Sequence, residues 1–117
     1  MGTSFVKYKE AGFWTRDRYL EGWVSAVLNE LQNLPTKESW ELDLMDNWRI
    51  QALIGGGCMS LGLDELLVDR ARTDFMVSVA KEALPHCSEE SRRTGELCIA
   101  LLLGELKTTV SSPIDYL

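Results

Sequence analysis

Cys58 closes a glycine run in Ile54-Gly-Gly-Gly-Cys-Met-Ser-Leu-Gly-Leu-Asp-Glu-Leu66, and His86, the one histidine of the chain, stands between Pro85 and Cys87. A thiol acts as a nucleophile when it is ionised and has a base within reach. A Cys58–His86 pair would supply both. The same glycines invite a phosphate-binding reading. A Walker loop, however, needs a lysine and a hydroxyl after its last glycine, and no lysine follows here. A dinucleotide fingerprint needs a strand before the glycines, and a helical pattern precedes them instead. The simpler reading is a connector: Gly55 ends one helix, the glycines reverse the chain, and Cys58 is a small buried apolar residue. No serine has a GxSxG setting or a second histidine with which to build a triad.

Carboxylates form two groups, Glu38/Glu41/Asp43/Asp46 and Asp64/Glu65/Asp69. Magnesium and calcium want oxygen ligands. No D-x-D-x-D-G loop and no Glu-x-x-His pair is present, and one histidine with three scattered cysteines makes no recognisable zinc site. No metal and no cofactor is therefore expected. Asp64 reads as the cap of a short helix, and Asp69 as a partner of Arg70 or Arg72. Aromatic residues crowd the first half of the chain. Trp23 and Trp48 suit a core, whereas Trp14 and Trp40 fall near helix starts and are expected to be partly exposed. Exposed aromatics beside carboxylates are what protein-binding hot spots contain. The candidate contact residues are Glu38, Trp40, Glu41, Asp43, Asp46, Cys58, Asp64 and Glu65.

The elements that position these residues read as helices. Leu20, Trp23, Val24, Val27, Leu28 and Leu31 recur at i, i+3, i+4, i+7, i+8 and i+11, one apolar stripe that Thr15 or Asp17 opens and Pro35 ends. A second helix starts near Thr36 or Ser39, with Trp40, Leu44 and Trp48 as its stripe. A third runs from about Arg70 to Leu84 with Met76, Val79, Ala80 and Ala83 facing inward, and Pro85 stops it. Ser88 begins the last helix, with Glu89 and Glu90 in its first turn, where negative charge is favoured. It is apolar nearly all round from Leu97 to Leu106 and is expected to be central. No segment shows sustained period-two alternation. The expected class is all-α: a single domain over 1–117, an irregular bundle of about four main helices with short loops, an aromatic arm over 1–14 and a short tail over 111–117.

The 117 residues carry 18 Asp and Glu against 12 Lys and Arg, a net charge of −6. Such a chain repels nucleic-acid phosphates unless its bases cluster, and Arg70/Arg72 and Arg92/Arg93 each have carboxylates beside them. No nucleic acid is expected as a partner, whereas a basic protein would be attracted. The longest apolar run, Leu97–Leu103, is far short of a membrane span, and no secretory leader is visible. Three cysteines with no CxxC spacing suit reduced thiols. A cytoplasmic protein with no membrane contact is expected.

The stretch WRIQALIGGGCMSLGLDELLVD, with GFWTRDRYLEGW upstream, resembles a core shared by small acidic all-helical bacterial proteins of the immunity type, over roughly residues 12 to 70. The resemblance implies a stoichiometric inhibitor that covers or distorts a toxin domain's active site, its acidic residues facing a basic cleft. It assigns no particular residue. Two alternatives stand beside it: a homo-oligomeric scaffold or regulatory subunit, such as a homodimer, and a small enzyme or ligand-binding protein using Cys58 and His86.

Overall fold

Residues 3–16 form a β-hairpin in place of the aromatic arm expected over 1–14. The computed structural model describes residues 2–54 and 61–106, with the backbone alone at 53 and 54. Strand β1 (Thr3–Tyr8) pairs antiparallel with β2 (Ala11–Arg16), in a register that sets Phe5 opposite Trp14 and Tyr8 opposite Ala11. Ser4, Val6, Tyr8, Phe13 and Thr15 point inward and are buried, as a period of two demands. Phe5 and Trp14 stack across the strands on the other face, ring centroids 5.2 Å apart. The Phe5 ring also covers Gly12, where a Cβ would lie 2.5 Å from the ring's Cζ and 2.7 Å from the Val6 carbonyl. The turn, Lys9–Glu10, places Lys9 at φ +57°. Glycine or asparagine is usual there, and neither marks the turn.

Among the described residues five α-helices and a 3₁₀ turn follow, so the class is mixed, a two-stranded sheet with helices, and the all-α expectation is corrected. They are α1 (Asp17–Gln32), α2 (Ser39–Ile54), the one-turn α3 (Leu63–Leu66), α4 (Arg70–Ala83), the 3₁₀ turn Leu84–His86 and α5 (Glu89–Leu102). The α1 stripe is buried at Leu20, Trp23, Val24, Val27 and Leu31, with Leu28 half-buried. Those five side chains contribute on the order of 10 kcal/mol of gross apolar burial, most of which chain entropy offsets. Helix α1, not α5, is the hub, packing on α2, α4, α5 and the hairpin. Helix α5 lies to one side of it and leaves Leu103 exposed just past its end.

Local chemistry sets the helix ends. Asp69 accepts the Arg72 amide at 2.8 Å and caps α4, and Ser88 accepts the Ser91 amide at 3.3 Å and caps α5. At α2, Glu41 reaches back to accept the Glu38 amide at 2.8 Å, while the Glu38 carbonyl starts the helix. The Trp23 and Trp48 rings meet at 5.8 Å, and the Trp48 indole N–H donates to the Leu61 carbonyl at 2.9 Å, joining α2 to the chain before α3.

Helix α5 comes close enough to α1 that a Cβ on Gly95 would stand 2.6 Å from Trp23 Nε1 and 2.8 Å from Leu84 Cδ2. Both neighbours are held by packing. Gly95→Ala is therefore expected to cost about 2 kcal/mol through overpacking, read as a lower urea midpoint with an unchanged slope. A neutral result would mean that α1 and α5 stand further apart than described.

Candidate functional site

Eight residues are candidates from sequence, and their surroundings separate them. Trp40 is buried, 8% exposed, contrary to the expectation for a residue near a helix start. Phe75 meets its ring edge-on at 5.6 Å, the Arg72 guanidinium lies over it at 5.0 Å, and its N–H donates to the Glu38 carboxylate at 2.8 Å. Trp40 thus forms the floor of an open groove of about 700 Å³ between the 34–38 connection and the start of α4. Trp14, the other exposure candidate, is half-buried against Phe5. Glu41 is buried as well, held in its capping bond, and offers no charge to a partner.

Asp64 does not cap α3. Gly62, in the left-handed region at φ +62°, occupies that position, and the Asp64 carboxylate turns to the hairpin tip instead. It accepts Lys7 Nζ at 2.9 Å and the Lys9 amide at 2.7 Å. Burial alone would raise its pKa, but the Lys7 ammonium and the Lys9 N–H outweigh burial and hold it below the ordinary value of 3.8. A carboxylate depressed in the folded state stabilises it above the unfolded pKa, and that contribution is lost as the pH falls through the folded value. Exchange of the Lys9 amide, corrected for its intrinsic rate, should therefore accelerate as the pH drops below about 4, and Asp64→Asn should show fast exchange at every pH. An acid-insensitive Lys9 amide in the native protein would contradict the latch.

The remaining candidates lie on or beside the outward face of α2. Asp43 and Asp46 are exposed there, and Asp46 stands 4.0 Å from Arg49. Glu65, exposed on α3, comes alongside: with Asp43, Asn47, Gln51, Gly62 and Leu66 it rims a shallow depression of about 440 Å³. Glu38 is exposed but engaged with Trp40. On the same outward face stand Leu42, 47% exposed, and Ile50, 54% exposed, two of the large apolar side chains left in solvent. Sequence reasoning passed over both. The signal was there: they fall off the Trp40/Leu44/Trp48 stripe, one turn to either side of Asp46.

The enzyme candidates do not assemble among the described residues. Cys58 and the glycines before it lie outside those residues, and with them the Cys58–His86 pair and the helix-ending role of Gly55. His86 is exposed and stands 3.5 Å from Glu30. Burial pushes the Cys87 thiol up, with Arg92 partly opposing, and Cys87 donates to the Ala83 carbonyl at 3.4 Å. Full burial pushes the Cys98 thiol up much further. Both shifts run against a thiolate nucleophile. At neutral pH an alkylating reagent is expected to label Cys87 slowly and Cys98 only on unfolding, as peptide mass spectrometry would show; rapid labelling of Cys98 in the folded protein would refute its burial. Among the described residues no group of three or more His, Cys, Asp and Glu side chains is placed to hold a metal, and no helix is long and apolar enough to cross a membrane.

Compared with known proteins, the chain matches no family model, no curated protein and no solved structure.

Proposed function

We propose that this protein works by binding another protein through the outward face of α2, as a stoichiometric inhibitor of the immunity type acting on a toxin domain in the cytoplasm. One observation carries the binding reading: Leu42 and Ile50 each expose about half their surface on either side of Asp46, on a helix whose other face buries Trp40, Leu44, Met45 and Trp48. Exposed apolar side chains rimmed by polar groups are the arrangement of a contact surface. The net charge of −6 favours a basic partner and speeds encounter with it. Inhibition follows from occupancy, since a 13.2 kDa body seated on an active-site rim excludes substrate without chemistry of its own. The toxin as target rests on the resemblance of residues 12 to 70. The free thiols of Cys87 and Cys98 suit a reducing compartment.

The test is affinity capture from the native host at low expression, beside a variant carrying Asp43→Asn, Asp46→Asn and Glu65→Gln. Glu41 stays intact, because its carboxylate caps α2. One stoichiometric partner with a basic surface, absent from the variant's capture and losing its activity at a one-to-one ratio, is the expected result. Equal capture by both proteins, or capture of no other chain, would end the reading.

A further inference from the structure

Between Leu42 and Ile50 the outward face of α2 carries a pattern of side chains that selects what fits it. Residues four apart on an α-helix lie about 6 Å apart along the axis and about 40° apart around it. Leu42, Asp46 and Ile50 therefore form one slanting ridge, about 12 Å long, with a carboxylate midway between two apolar side chains. Asp43 and Arg49, three residues to either side of Asp46, fall on opposite flanks. Arg49 leans toward α1, where it reaches Gln32 at 3.4 Å, and Asp43 leans toward α3 and Glu65. The ridge thus has an acidic centre, an acidic flank and a basic flank.

A second copy of this chain matches the ridge poorly. In a twofold pairing, residues near the axis meet their own copies. Any such pairing that buries both Leu42 and Ile50 puts the axis near Asp46, so Asp46 faces Asp46 as apolar surface closes around both. The complementary element is a helix of another protein. Helix ridges of i, i+4 spacing pack alongside one another, and Asp46, exposed and held by a loose 4.0 Å contact with Arg49, still favours an opposite charge across the interface.

Resting on the protein-binding reading, we infer that the α2 ridge takes a basic amphipathic helix carrying an apolar residue, a lysine or arginine four positions on, and a second apolar residue four positions beyond that.

A displayed library of helix-stabilised 18-residue peptides, selected on the whole protein and then assayed on a Leu42→Asp/Ile50→Asp variant, tests this. Selected peptides should show the apolar–basic–apolar spacing at least tenfold over the starting library, and Asp46→Lys should shift the central preference to glutamate or aspartate. Peptides that bind the double variant equally, or that lack the central base, would overturn the inference. So would a concentration-dependent dimer, seen by sedimentation, that the double variant abolishes. The two readings fail separately. A captured partner that binds the double variant as well as it binds the native protein removes the helix assignment and leaves the inhibitor function. Peptides of the expected pattern with no captured partner remove the function and leave the surface.

Discussion

Leu42→Asp combined with Ile50→Asp is expected to weaken partner binding at least 100-fold, about 2.7 kcal/mol, with only a few degrees of change in Tm. Both side chains already spend about half their surface in water, so the folded state depends little on them. In the proposed complex their remaining surface would be dry, and a carboxylate in each place would be desolvated against the partner's apolar side chains. Two apolar anchors at the centre of a contact account for a loss of that size, since each tenfold corresponds to about 1.4 kcal/mol. The added negative charge near Asp46 costs the helix a few tenths of a kcal/mol, which sets the small stability change. Calorimetric titration with the captured partner, beside thermal melts of both proteins, measures the two effects separately. A binding loss under threefold would move the contact surface elsewhere. A collapse of Tm would show that the pair belongs to the core.

Trp48→Ala is the substitution expected to damage the fold most, by about 4 kcal/mol. The side chain is fully buried, packs on Trp23 and donates to the Leu61 carbonyl. Removing it opens a cavity between α1 and α2 and leaves a carbonyl without its donor, two costs that add. For a chain of this size such a loss lowers Tm by about 15 °C. Trp48→Phe keeps most of the packing and loses the hydrogen bond, so a cost of about 1–2 kcal/mol separates the two contributions. Urea denaturation of both variants gives the figures. A loss below 1 kcal/mol for the alanine variant would contradict the placement of α2 against α1.

Helix α1 was legible because its apolar residues repeat at helical spacing without interruption from Leu20 to Leu31. The hairpin was not. Its inner face mixes Ser4 and Thr15 with Val6, Tyr8 and Phe13, so the alternation of two is blurred. Its turn carries Lys9 in a left-handed conformation in place of glycine or asparagine. Local rules also misassigned Asp64, since a carboxylate ahead of an apolar run reads as a cap. Lys7 and Lys9, more than 50 residues away in sequence, claim it instead. Trp40 is covered by Arg72 and Phe75 from α4, a contact that no sequence window contains. Glu41 was the readable case that was missed. Glutamate three residues after the helix-opening Glu38 is the spacing of a capping carboxylate, and it turns inward for that reason. Leu42 and Ile50 were legible too, as apolar residues that break the α2 stripe, but the carboxylates between them, together with Trp40, drew the reading away from them.

On the proposed reading, α2 presents the protein's working surface. Amide hydrogen exchange of the free protein and of its complex with the captured partner tests this most directly. Binding should slow exchange across the middle and end of α2, around Leu42 to Ile50, and in α3 beside Glu65, with the hairpin and the 3₁₀ turn at His86 unchanged. Slowing confined to the hairpin tip, or to Leu84–His86 and the start of α5, with α2 unaltered, would contradict it.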